Sequence, residues 1–219
     1  MINKRTTTHL DTERTVKVAG GAFIVTPLVF FIGTIGGEPI RTAWPPETSV
    51  DLVLYSLEIA PVIPLALGVT ALVVVVPSFR RGLAGYFATA FLWLGVLSVV
   101  QTFRDVSIDL MVSQAQQTGL VAAGERWLVY EAAHINVLLF GAGVAFLGLA
   151  FSRTQFTSQV VGYVGAVLGC LLVLVTYLRF VFFGARWAEP FPVLLLTFVW
   201  IFVLGIFVFR GATVVTSHQ

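Results

Sequence analysis

The sequence predicts an all-α fold, a polytopic membrane bundle of about six transmembrane helices, and three observations carry that expectation. Of 219 residues, 58% are hydrophobic and 11% charged, against roughly 25% charged in ordinary soluble domains. Mean hydropathy is +0.94, so the excess apolar surface has to face lipid. Six stretches supply the about 20 mostly apolar residues that a helix rising ~1.5 Å per residue needs to cross ~30 Å of hydrocarbon. These runs lack the ten-residue alternation of barrel strands, and backbone groups in lipid must find partners within their own segment, which leaves helices.

The first span runs from about Val16 to Ile35 and the second from Val50 to Val76. The third reaches from Leu83 to Leu110, long enough to tilt or to project from the membrane. The fourth covers Trp127 to Phe151, the fifth Val160 to Phe183 and the sixth Phe191 to Phe209. Together they form one membrane domain over 16–210, with polar tails at 1–15 and 211–219. The polar start and the lack of a small-residue cleavage site mark the first run as a span, not a removed signal peptide.

Basic residues orient the bundle. Lys4, Arg5, Arg14, Lys17, Arg80, Arg81, Arg153 and Arg210 fall on one side of a six-span arrangement; Arg41, Arg126 and Arg186 fall on the other. The positive-inside rule then places both termini in the cytoplasm of a multi-pass cell-membrane protein. Acidic residues show the opposite bias: Asp11 and Glu13 lie inside, and the other nine lie in outer loops or outward halves of helices.

The same composition excludes several classes. No basic run exceeds Arg80-Arg81, so the net charge of +2 signals topology and not nucleic acid. Cys170, the single cysteine, can form no intrachain disulfide. Lys4 and Lys17 are the only lysines, which leaves no mid-membrane amine for a retinal Schiff base. No G-x-S-x-G, Walker A or strand-borne G-x-G-x-x-G occurs, and Ser56, Ser98 and Ser107 read as ordinary helix serines. In the outer loop from Gly36 to Ser49, Trp44 reads as an interfacial anchor.

Ionisable groups inside a span cost about 2.5 to 3.5 kcal/mol at the helix centre, so each needs a reason. Here they are Glu58 in the second span, Arg104, Asp105 and Asp109 in the third, Glu131 and His134 in the fourth, and Arg179 in the fifth. Counted from the helix ends, all fall in the outward half. Asp51, Tyr55 and Glu58 share one stripe, as do Gln101, Asp105 and Asp109, Trp127, Glu131 and His134, and Arg179, Phe183 and Arg186. Pro61 and Pro64 displace the carbonyls of Leu57 and Ala60 on either side of Glu58. Two readings stay open: a kink that improves packing while Glu58 pairs with Arg104 or Arg179, or a hydrated site for a ligand, ion or proton.

Glu131-x-x-His134 has the spacing of di-iron carboxylate bundles, but such sites need a second copy, and His9 and His218 lie in the tails. Neither a metal nor a cofactor is expected, and bis-histidine haem is excluded on the same count. Gly141, Ala145 and Gly148 form a small-residue stripe on the fourth span. Gly162, Gly165, Ala166 and Gly169 form another on the fifth. Joined by a short loop, these stripes predict a close internal hairpin in preference to a dimer face.

From Leu139 to Gly169, Phe140-Gly141, Leu147-Gly148, Arg153 and the glycine-spaced Gly162, Gly165 and Gly169 resemble a family of small prokaryotic six-span membrane proteins of unknown function. Where that family has a proline in the inner loop, this chain reads Thr157-Ser158-Gln159. The resemblance covers under a third of the chain and implies six helices and no activity.

The expected function is non-enzymatic. An outward-facing polar cavity lined by Glu58, Arg104, Asp105, Asp109, Glu131, His134 and Arg179 binds, senses or transports a small polar molecule or ion. The arginines would hold carboxylate or phosphate oxygens or neutralise the acids, Glu58 would accept protons or cations, and His134 would add pH sensitivity near its ordinary ~6.5. The rivals are an intramembrane enzyme using Glu131 and His134 as an acid-base pair, and a structural subunit of a larger complex. The partners expected are the lipid bilayer, the small ligand and a homo- or hetero-oligomer.

Overall fold

A computed structural model of the chain describes residues 4–32, 61–117, 134–181 and 190–216, with side chains at 11–32, 61–101, 135–179, 181 and 190–212. All seven elements among them are helices: α1 Lys4–Phe31, α2 Val62–Val75, α3 Pro77–Arg80, α4 Gly82–Gln117, α5 His134–Phe151, α6 Gln159–Val181 and α7 Phe191–Thr216. Four contain stretches long and apolar enough to cross a membrane: Asp11–Phe31, Gly82–Gln101, Gln159–Arg179 and Phe191–Ala212. Two shorter apolar helices, Val62–Val75 and Ile135–Phe151, accompany them. The chain is a multi-pass membrane protein. Its lipid-facing surface is apolar along whole helices: on α6, Val160, Val164, Val167, Leu171 and Leu174 are all exposed at helical spacing, a stripe that water would not tolerate.

Where apolarity ends, the helices continue. α1 begins at Lys4, well inside the stretch read as a tail, and α7 runs on to Thr216. Helix formation needs no apolar side chains once a span has nucleated it, and a Glu13–Lys17 ion pair at 2.6 Å lies along the early turns of α1. α4 passes Leu110 and ends at Gln117.

The turns follow from local chemistry. α2 stops at Val76, held extended (φ −103°, ψ 114°) by the proline that follows it, and Pro77 opens α3 where no N–H is required. The Arg80 guanidinium donates to the Val74 carbonyl and so caps the end of α2. Gly82 turns the chain into α4 at φ +67°, a left-handed conformation that disfavours any side chain. Ser158 caps α6, its hydroxyl accepting from the Val161 N–H at 3.4 Å.

Pro61 is the N-cap of α2 and Pro64 lies in its first turn, where a missing N–H costs no helical bond. The expected loosening of carbonyls beside Glu58 concerns Leu57 and Ala60, which lie outside the described residues, as does the rest of the second span before Pro61. Within α1, Pro27 interrupts the backbone ladder, and Thr26 Oγ1 donates to the Ala22 carbonyl at 2.8 Å in that turn.

Each helix packs against its neighbour in the chain, and the last returns to the first: α1 on α2, α2 on α4, α4 on α5, α5 on α6, α6 on α7 and α7 on α1. Two seams are closest. A Cβ on Gly148 would lie 2.7 Å from the Gly162 carbonyl oxygen, and one on Gly169 would lie 2.6 Å from that of Gly141, so α5 and α6 touch backbone to backbone. This is the internal hairpin expected from the two small-residue stripes. The second seam joins α1 to α7. A Cβ on Gly20 would meet the Phe209 nitrogen at 2.6 Å, and one on Gly205 the Ile24 nitrogen at 2.9 Å.

Inside the ring, aromatic side chains fill the space. Phe23 meets Phe151 edge to face at 6.0 Å, and Phe79 meets Phe151 at 5.0 Å and Phe156 at 6.1 Å. Phe156 in turn lies against Gly211. These contacts gather the α2–α4 turn, the α5–α6 turn and the end of α7 at one end of the bundle, so Arg80, Arg81, Arg153 and Arg210 share that end. It is called the basic end below.

Candidate functional site

The register of the seams fixes how far each residue lies from the basic end. On the α5–α6 seam, Gly141 lies against Gly169 and Leu172 and Gly162 lies against Ser152. Continuing the antiparallel pair outward brings His134 level with Arg179 to within about one residue, ~1.5 Å. Between α4 and α5, Gly143 lies against Phe91 and Leu94, and Ser98 Oγ donates to the Asn136 carbonyl at 3.0 Å. The same step sets His134 level with Gln101. Two polar tiers result, one of Ser98, Asn136 and Thr176, and one about a turn further out at Gln101, His134 and Arg179.

Of the residues named from sequence, Arg179 is placed in full: it is half-buried near the end of α6, on the stripe that carries Gly162, Gly165, Gly169, Leu172 and Thr176. Arg104, Asp105, Asp109 and His134 are placed by backbone, and their side chains lie outside the described set. At ~1.5 Å per residue, Arg104 stands about 4.5 Å beyond Gln101, Asp105 about 6 Å and Asp109 about 12 Å. The backbone of Asp109 is therefore well above the tier of His134 and Arg179. Glu58 and Glu131 lie outside the described residues.

Beneath the tiers aromatic rings fill the bundle. Phe30 stacks on Phe198 at 4.0 Å and Phe198 on Phe140 at 5.7 Å, a row of three rings from α1, α7 and α5. Phe140 is six residues inward from His134, about 9 Å. Below it lie Phe23, Phe79, Phe91 and Phe151, each 1% exposed or less. The hydroxyls of Thr26 and Thr197 are also buried, and each donates to a carbonyl of its own helix at 2.8 Å.

No family model, curated protein or solved structure matches the chain.

Several of the site's residues escaped sequence reasoning. Ser98 reads as an ordinary helix serine, yet it bonds across to α5. Thr176 is 1% exposed, and its hydroxyl has no hydrogen-bond partner. Trp200, buried on α7, lays its ring over Gly165, whose Cβ would lie 2.6 Å from the indole Cη2, and its Nε1–H donates to the Val161 carbonyl at 2.8 Å. The signals available were glycines within apolar runs, Gly20 and Gly205 above all. They mark a seam without naming its partner.

Proposed function

We propose that the protein is a six-span receptor-like membrane protein that binds a small polar molecule or ion from the side opposite the basic end. The observation that carries this reading is the vertical separation of chemistry: polar groups from α4, α5 and α6 stand on two adjacent tiers, and a stacked row of phenylalanines closes the bundle below them. In such an arrangement a ligand enters from the far end and stops. Passage to the basic end would require Phe30, Phe140 and Phe198 to separate, which makes binding or sensing a better description than open conduction.

The second and fourth spans complete the six, with α2 and α5 as their inner portions. The basic end faces the cytoplasm, with both termini, because eight lysines and arginines lie on that side and three on the other. Glu58, Arg104, Asp105, Glu131, His134 and Arg179 line the pocket, and Asp109 stands at its mouth. The likeness of Leu139 to Gly169 to a six-span family of unknown function supports the helix count and no activity.

Labelling tests the pocket. Cys170, the only native thiol, is replaced by serine, and Gln101→Cys is introduced. A charged, membrane-impermeant thiol reagent added to intact cells should modify Gln101→Cys and should leave Gly143→Cys, beside Phe91 in the aromatic half, unmodified. Equal resistance at both positions would refute the outward pocket.

A further inference from the structure

On its outer surface α5 is recessed between its neighbours in the ring. Leu83, Trp93 and Leu97 on α4 and Val160, Val167 and Leu171 on α6 are exposed, whereas from Asn136 to Phe151 no side chain of α5 is. Ala142, Phe146 and Leu149 share the half-buried stripe of α5 that looks out between the two flanking helices. Their direction follows from the glycines on either side of Ala142: Gly143 lies against Phe91 of α4, and Gly141 lies against Gly169 of α6. The result is an apolar groove about 22 Å long, more than the ~15 Å of hydrocarbon in one leaflet, with the small side chain of Ala142 midway along its floor.

The mouth of this groove at the basic end carries charge. Arg153 lies two residues beyond the end of α5, and Arg81 immediately precedes α4. The turns that hold them are joined by Phe79, which packs on Phe151 and Phe156. Both arginines are exposed, and neither forms an ion pair among the described residues. Asp11 and Glu13 are the only acids among the described side chains. Both belong to α1, on the far side of the ring from α5, and Glu13 is held by Lys17. Because Gly20 lies against Phe209, Asp11 stands about 12 Å and Glu13 about 9 Å beyond the level of Arg210. Two guanidiniums at the foot of an apolar groove, with no described acid at their level, match a phosphate that carries a hydrocarbon chain.

We infer that this groove binds an anionic phospholipid, its phosphate on Arg81 and Arg153 and one acyl chain laid along α5 between α4 and α6. The charge selects an anionic headgroup, and the groove selects a lipid over a free phosphate. The headgroup site lies at the opposite end of the bundle from the outward pocket and does not depend on it.

Phosphatidylglycerol is the probe. The full chain purified in a neutral detergent should show a saturable rise in Tm as this lipid is added, and none with phosphatidylcholine or inorganic phosphate. Arg81→Gln and Arg153→Gln change exposed side chains and should match the wild-type Tm before lipid is added. Each should lower the apparent affinity about fivefold, the size expected of one arginine at an anionic surface. Arg14→Gln, also exposed but on α1, should leave the affinity unchanged. Ala142→Leu and, nearer the mouth, Leu149→Trp fill the groove and should weaken binding with both arginines intact, and if one of them fails to fold the other decides. An equal loss in Arg14→Gln would mean diffuse attraction and overturn the site, as would a wild type with no saturable rise or an equal response to inorganic phosphate. Wild-type affinity in a folded groove-filling variant would overturn the seating of the acyl chain.

Discussion

Replacing Gly169 with alanine probes the seam on which the depth of every α5 and α6 residue depends. The new Cβ would lie 2.6 Å from the Gly141 carbonyl oxygen, against the backbone of α5. Carbon and oxygen settle at about 3.3 to 3.6 Å, and the Ala145 nitrogen lies nearer still, so the helices must part by at least roughly 0.7 to 1 Å. A gap of that size forfeits a quarter to a half of each dispersion contact along the seam. Overpacking of this kind costs about 1 to 3 kcal/mol. Gly21→Ala is the matched control, because nothing lies within 4 Å of a Cβ there, and alanine favours the helix by up to ~1 kcal/mol. Unfolding by dodecyl sulfate from mild detergent, followed by far-ultraviolet circular dichroism, reads both. Gly169→Ala should unfold at lower denaturant than the wild type, and Gly21→Ala at equal or higher. If the two variants differ by less than about 0.5 kcal/mol, below the smallest overpacking cost expected, the helices are not in backbone contact and the register drawn from that contact is wrong.

Trp200→Phe removes the Nε1–H donated to the Val161 carbonyl and should cost about 1 kcal/mol in the same titration. Trp200→Ala also strips the ring from Gly165 and should cost about 3 to 5. Ser98→Ala breaks the link between α4 and the Asn136 carbonyl, for which about 0.6 kcal/mol is expected of a hydrogen bond between membrane helices. Phe198→Ala interrupts the row with Phe30 and Phe140. In proteoliposomes it should allow small ions to leak, where the wild type and the peripheral Phe207→Ala variant hold them.

Composition and run length are local quantities, and lipid judges them locally, since each segment must satisfy its own backbone and present its own apolar surface. The sequence by itself therefore determined that this is a helical multi-pass membrane protein. It also determined where spans end at Val76 and begin near Leu83, Val160 and Phe191, and which two helices touch through Gly141, Gly148, Gly162 and Gly169. Counting residues from helix ends likewise put His134 and Arg179 at similar depth, because antiparallel neighbours joined by a short loop share a reference point. Only the tertiary structure decided which faces meet across long distances in the chain: Gly20 on α7, Trp200 over Gly165, and three phenylalanines from α1, α5 and α7 in one row. Nor could the sequence distinguish Thr176 from the threonines that bond to their own helices. That difference depends on what surrounds the hydroxyl, which is set by the register between helices and not by the residues beside it in the chain.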